Sequence, residues 1–272
     1  VRAMDGLKGW GAALIAAFQF LTRLPLPVNL HYDDALFRRS VVFYPVVGVV
    51  LGWLLVGIGQ MLLLIGVPVL PAAALLLASW VILTGALHLD GLMDTADGIL
   101  SHRSRERMLE IMKDSRVGAM GVVACVLVLL LKWSLLQELL KQGASPQLFL
   151  LPLATLWSRW FMVVAIARWP YARQEQGGGM GGMFRGIGWF TLAVQTGLAV
   201  LAACFTAEAA GFEASRAWAT AALFGAVSGA AGLIMSRYLS SKLGGLTGDT
   251  YGAMNELLEA VLLLLLLWAI GS

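Results

Sequence analysis

Of the chain's 272 residues, 59% are hydrophobic and only 13% charged, and its mean hydropathy is +0.81. That lies far outside the soluble norm of about 45–50% apolar and about 25% charged, so the expectation is one integral membrane domain over residues 1–272, with no polar segment long enough to fold by itself. The formal charge of +3 does not call for nucleic acid, and Cys125 and Cys204, with no CxxC and no His partner nearby, read as packing residues.

In chain order, residues 7–24 put Trp10, Leu14, Ala17, Phe18 and Leu21 at helical spacing and then stop at Leu-Pro-Leu-Pro. This predicts an amphipathic helix lying in the membrane interface. Arg23 and two prolines stand where a small-residue cleavage site belongs, so the segment does not read as a cleavable signal. Seven spans are expected after it, at 41–65, 69–88, 117–137, 148–168, 189–207, 217–236 and a last one ending near 270. The predicted fold class is therefore an all-α polytopic membrane protein, about seven transmembrane helices plus an N-terminal interfacial helix.

Basic residues sort by side. Arg2, Lys8, Arg23, Arg38 and Arg39 precede span one; Arg103, Arg105, Arg107, Lys113 and Arg116 follow span two; Arg168, Arg173 and Arg185 follow span four; Arg237 and Lys242 follow span six. Only Lys141 and Arg216 fall on the opposite side, which makes the first set cytoplasmic. Lys132 and Arg159 are left inside spans, where each costs about 2.5–3.5 kcal/mol at mid-bilayer unless it faces the bundle or snorkels. Arg159 is too deep to snorkel easily and is a candidate for a carboxylate partner or a buried substrate anion.

Where span two ends, the sequence reads His-Leu-Asp-Gly-Leu-Met-Asp-Thr-Ala-Asp-Gly, residues 88–98. Asp90, Asp94 and Asp97, at i, i+4 and i+7, share one helical face. If the helix continues from the span, its negative pole adds to their mutual repulsion. A divalent ion removes both penalties. His88 reads either as a satisfied interfacial histidine or as a group orienting an aspartate or an incoming hydroxyl.

A second acidic cluster follows span six. Residues 243–259 hold Asp249 and Glu256, again seven apart, with Gly244, Gly245 and Gly248 able to turn tightly and offer amides to an anion. The apolar run after Glu256 is too short to cross, so the last helix has to start near Thr250 and carry Glu256 at the membrane surface, where an ionisable group is functional by default. Glu259 is placed either in the site or against a neighbouring helix. Two acidic clusters converging on one face form the kind of site that takes one or two Mg²⁺ ions bridging phosphate oxygens. Thr247, Gly248 and Asn255, from the same stretch, are candidate substrate contacts.

Between Ser101 and Arg116 the chain turns charged, with Met108, Ile111 and Met112 as one apolar stripe on a short helix that suits anionic membrane lipid. Arg116, close to Gly118, is placed to hold a phosphate. The loop 170–188, with Tyr171, Arg173 and glycines 177–179, 181 and 182, reads as a substrate gate or a plain linker.

Taken together, the 88–98 stretch, Arg-Met-Leu-Glu-Ile-Met-Lys-Asp-Ser-Arg-Val-Gly at 107–118, Gly-Gly-Leu-Thr-Gly-Asp-Thr-Tyr-Gly-Ala-Met-Asn-Glu at 244–256 and Phe-Leu-Thr-Arg-Leu-Pro-Leu-Pro at 20–27 resemble the cobalamin synthase family, the adenosylcobinamide-GDP ribazoletransferases. The likeness covers nearly the whole chain in order. It implies a Mg²⁺-dependent enzyme of the cytoplasmic (inner) membrane, its active site facing the cytoplasm, that joins adenosylcobinamide-GDP to α-ribazole or its 5′-phosphate and releases GMP. It also implies Asp90, Asp94, Asp97, Asp249 and Glu256 as metal ligands, His88 and Asp94 in the chemistry, and Arg116 with Arg23 or Arg173 on the phosphates. A homo-oligomer or an association with other late cobalamin-assembly enzymes is left open. The competing readings are a CDP-alcohol phosphotransferase or a prenyltransferase, and an ion-coupled transporter. The phosphotransferase motif has Ala-Arg where Met93 and Asp94 stand, and a transporter would cluster its acids near the midplane.

Overall fold

A computed structural model describes residues 2–141, 143, 146–173 and 187–271, and the described residues are almost wholly helical. The helices are α1 (Arg2–Leu21), α2 (Asp34–Ser40), α3 (Tyr44–Leu64), α4 (Val69–Thr84), α5 (Leu87–Leu100), α6 (Arg105–Ile111), α7 (Ala119–Lys141), α8 (Pro146–Phe149), α9 (Leu151–Arg168), α10 (Trp189–Ala209), α11 (Ala214–Leu243) and α12 (Gly248–Gly271). Among the described residues six helices are long and apolar enough to cross a membrane, and a seventh crossing exists only if α4 and α5 are taken together. The glycine-rich loop 170–188, expected as a gate or a plain linker, lies mostly outside the described residues.

Local chemistry sets most boundaries. Asp33 caps α2 by accepting from the Leu36 amide at 2.7 Å, and Pro45 opens the first turn of α3, where a missing N–H costs nothing. Ser104 caps α6 through the Arg107 amide. The helix predicted to lie flat in the interface exists as α1, but its Ala13, Ala17 and Leu21 are buried against α2 and the start of α3. The last helix starts at Gly248, close to the position its length required.

Span two departs most from expectation. It stops at Thr84, and Gly85 (φ 61°) and Ala86 (φ 56°) turn the chain by 89° into α5. The Gly85 and Ala86 amides donate to the Ile82 and Val81 carbonyls at 3.0 Å, the paired bonds with which a glycine in left-handed conformation closes a helix. The Arg23 amide takes the Leu83 carbonyl at 2.7 Å, so the chain leaving α1 helps to hold the corner.

The bundle is built around α9 and α12, the most deeply buried of the six membrane-length helices among the described residues. α3 lies along α9, where the Thr155 hydroxyl donates to the Gly48 carbonyl at 2.7 Å, and α11 crosses it where Ser228 donates to the Trp157 carbonyl at 2.8 Å. α12 packs against α5, α9 and α7. At its centre Lys132 of α7 ion-pairs with both Glu256 and Glu259 of α12, and Arg159 of α9 pairs with Glu259 at 2.7 Å. All four are at most 4% exposed. Lys132 also sits 4.7 Å over the Trp80 ring of α4, and Arg159 donates to the Thr155 carbonyl at 2.9 Å. Two cations and two carboxylates make the cluster formally neutral, which is how charges persist inside a bundle. Both predictions for buried cations resolve here: each faces the bundle, and Arg159 takes a carboxylate partner.

Removing one charge from such a cluster leaves another buried without compensation. Lys132→Met is expected to cost about 3–5 kcal/mol, while Lys132→Leu combined with Glu256→Leu recovers most of the loss; thermal unfolding in detergent measures both. The geometry also puts α6 and the α11–α12 turn at one end of the bundle. Cysteines introduced at Arg103 and Lys242 should therefore react with an impermeant reagent from one side of the membrane, and cysteines at Gly66 and Gly211 from the other.

Candidate active site

Asp90, Asp94 and Asp97 do lie on one helix, but that helix is α5 and not the end of span two. The corner at Gly85–Ala86 reverses the electrostatics expected from sequence. Asp90 occupies the first turn of a new helix, at its positive pole, where a carboxylate is stabilised.

Asp249 comes from the first turn of α12. Thr247 and Thr250 fix that turn reciprocally: the Thr247 amide donates to the Thr250 hydroxyl at 2.8 Å, and the Thr250 amide to the Thr247 hydroxyl at 3.3 Å. Gly91 lets the two helices close. A Cβ there would lie 2.6 Å from the Asp249 carbonyl oxygen, so only glycine allows this approach. The charges of Asp249, Asp90 and Asp97 all act on Asp94, and Arg173 opposes them. Arg173 donates to Asp249 at 2.8 Å. It is held there by a short strap after α9: the Ala172 amide donates to the Leu246 carbonyl and the Leu246 amide to the Pro170 carbonyl, both at 2.8 Å.

Beside the acids is a cleft of about 170 Å³, lined by His88, Asp90, Gly248 and Asp249 with Phe20 and Tyr44. His88 is buried, and its Nδ1 lies 3.0 Å from the Asn255 amide nitrogen. That nitrogen also donates to Glu259 at 3.1 Å, which fixes the amide's orientation. Nδ1 is then the acceptor, and the neutral ring carries its proton on Nε2, a buried atom with no partner among the described residues. His88 forms part of the cleft wall.

The structure separates the other predicted residues from this group. Asp97 accepts from the Gly118 amide at 2.6 Å and the Gly121 amide at 2.8 Å, so both its oxygens fasten α5 to the start of α7. Glu256 is in the ion-paired core with Lys132, and Glu259 joins it there. Arg159 is committed to Glu259 and has no exposed surface to offer a substrate. Thr247 is the exception, since its hydroxyl both caps α12 and donates to Asp249 at 3.3 Å, while Asn255 stands behind His88. Arg23 is exposed and lies over Gly85 at the corner. Arg116 is paired with Asp114 at 2.7 Å with its side chain 87% exposed, and hydrogen bonds from its side chain and backbone pull the Asp114 carboxyl down to about 2. Phe20, which opens the 20–27 motif, and Tyr44, which no motif includes, reach the cleft through the packing of α1 and α3.

Among the described residues no three His, Cys, Asp or Glu side chains close on a single point. A Mg²⁺ site does not require that, since this ion commonly takes one or two carboxylates and completes its shell with waters and substrate phosphates. Asp90, Asp94 and Asp249, a concentration of carboxylates beside a cleft, fit that pattern.

The family model described as cobalamin-5-phosphate synthase matches residues 13–267. Adenosylcobinamide-GDP ribazoletransferases of Brevibacillus brevis and Desulfitobacterium hafniense are 40% and 42% identical, over 93% and 91% of this chain and 97% and 93% of theirs. The enzyme of that name from Pseudomonas aeruginosa is 41% identical over 93% of this chain and 97% of its own. No solved structure is significantly similar. With acidic helix, capped turn and strap all inside a match that runs nearly end to end, this multi-pass membrane protein belongs to the cobalamin-5-phosphate synthase family.

Proposed function

We propose that the protein transfers the corrinoid-bearing phosphoryl group of adenosylcobinamide-GDP to a hydroxyl of α-ribazole or its 5′-phosphate, with release of GMP. The observation that carries this reading is the convergence of Asp90 from α5 with Asp249 from α12, some 150 residues later in the chain, on the wall of one cleft at the basic end of the bundle, with Asp94 close enough to feel both charges. The bias of Lys and Arg toward that end supports a cytoplasmic orientation in the inner membrane.

In the reaction a ribose hydroxyl oxygen attacks the phosphorus attached to the corrinoid arm. The bond from that phosphorus to the bridging oxygen breaks, and the oxygen leaves on GMP. One or two of Asp90, Asp94 and Asp249 would hold each Mg²⁺, which would supply charge neutralisation on the phosphoryl oxygens. Asp94 would take the proton of the attacking hydroxyl. Arg173, next to Asp249, steadies the diphosphate. His88, its ring fixed by Asn255 and Glu259, would form the cleft wall beside Asp90. The corrin ring is far larger than a 170 Å³ cleft, so it stays outside while the phosphate arm enters.

Purified protein given adenosylcobinamide-GDP and α-ribazole should release GMP only when Mg²⁺ is present; release that persists in chelator removes the metal from the scheme. Asp94→Asn and Asp249→Asn should each lower turnover by at least a hundredfold without changing thermal stability greatly. As parts of one unit they should not add, so the double variant is expected to be no slower than the worse single one. Gly91→Ala should also abolish turnover while the protein still inserts, because the added methyl parts α5 from α12.

A further inference from the structure

Arg173 stands between two clefts. On its far side is a larger one of about 470 Å³, lined by Arg105, Glu106, Glu110, Lys113, Tyr171 and Arg173. One wall is a single face of α6, whose opposite side buries Met108 and is followed by buried Met112. The other is the strap after α9. Arg105 reaches the Ala172 carbonyl at 3.5 Å, and Arg173 reaches the Met112 carbonyl at 3.4 Å, which ties the walls together. The Nε of Arg173 is buried and has no partner.

Size separates the roles of the clefts. Small-ligand sites commonly have about 300–1,000 Å³. The acidic cleft is below that range and the second is within it. A substrate whose reacting phosphate lies beside Asp249 finds room for a nucleoside beyond Arg173.

We propose that this second cleft is a guanine-nucleotide subsite, holding the GMP portion of the substrate before and after transfer; the assignment rests on the reaction proposed above. Arg105, Lys113 and Arg173 present three cations to the GMP phosphate. Tyr171 offers an aromatic ring to the base. Guanine carries two adjacent N–H donors, at N1 and the 2-amino group, which one carboxylate accepts together; adenine has an acceptor at N1 and is repelled. Glu110 is held by Arg107 at 2.7 Å, and Glu106, which among the described residues hydrogen-bonds only to the Ser104 hydroxyl and backbone at the start of α6, is the carboxylate assigned to the base.

The test is calorimetric titration of the full chain in detergent with GMP, AMP and α-ribazole 5′-phosphate. GMP should bind in preference to AMP. Lys113→Ala should weaken GMP at least tenfold, about 1.4 kcal/mol, and Glu106→Gln should narrow the preference for GMP over AMP by a similar factor. Both side chains are exposed, so size-exclusion profiles should match the wild type. The proposal falls if GMP does not bind at millimolar concentration, if it binds both variants as it binds the wild type, or if α-ribazole 5′-phosphate, and not GMP, responds to them. A Lys113 effect without a Glu106 effect overturns the base assignment. Turnover with GMP binding indifferent to these residues sinks the subsite and spares the reaction. GMP binding with the expected dependence but no GMP release does the reverse.

Discussion

Four buried charges hold the bundle together at the level of the site. Lys132, Arg159, Glu256 and Glu259 come from α7, α9 and α12, and Trp80 brings in α4 through its ring. In a lipid environment the hydrophobic effect gives helices little reason to prefer one partner over another, so packing shape and polar pairs decide. A neutral cluster of two cations and two anions is satisfied only when α7, α9 and α12 are in register. That register also sets the height of Asn255, one turn before Glu259, and through it the ring of His88. The orientation of a group in the cleft thus depends on charges that never meet the substrate.

The second constraint is the corner after α4. A straight continuation would have put three aspartates at a helix's negative end. By closing α4 at Gly85 and restarting at Leu87, the chain gives Asp90 the positive end of α5 and turns the acidic face across the bundle toward α12. Asp97 then has a different task, since the amides that open α7 take both of its oxygens. Of three aspartates on one helical face, one ends up fastening a helix, one lines the cleft and one lies within reach of the Asp249 charge. Their common face on a wheel does not distinguish them.

The strap after α9 is the third element. Its paired backbone bonds to Leu246 connect the exit of one span to the turn before α12, and they bring Arg173 between the acids and the α6 face. A cation in that position can touch both phosphates of a diphosphate while its neighbours handle one each. The acids gather at one membrane edge, which suits an enzyme whose large substrate stays in water better than it suits a transporter with a midplane site.

Sequence alone determined the class of the molecule. Apolar runs of membrane length gave the helices, since in lipid a backbone can satisfy itself only internally. Spacing put Asp90, Asp94 and Asp97 on one helix, and the short apolar run after Glu256 placed the start of α12 correctly. The ordered motifs also carried the family. What the sequence could not decide was which acids face one another, because Asp97 and Glu256 are chemically the same as Asp90 and Asp249 until amides or Lys132 reach them. Thr-Gly-Ala at 84–86 held the signal for the corner, but a glycine within an apolar run is ambiguous until Arg23 and the two carbonyls it helps to satisfy are in place. Lys132, Arg159 and Arg173 were legible as charges needing partners; which carboxylate each one takes is a matter of distances across helices far apart in the chain, and only the tertiary structure sets those.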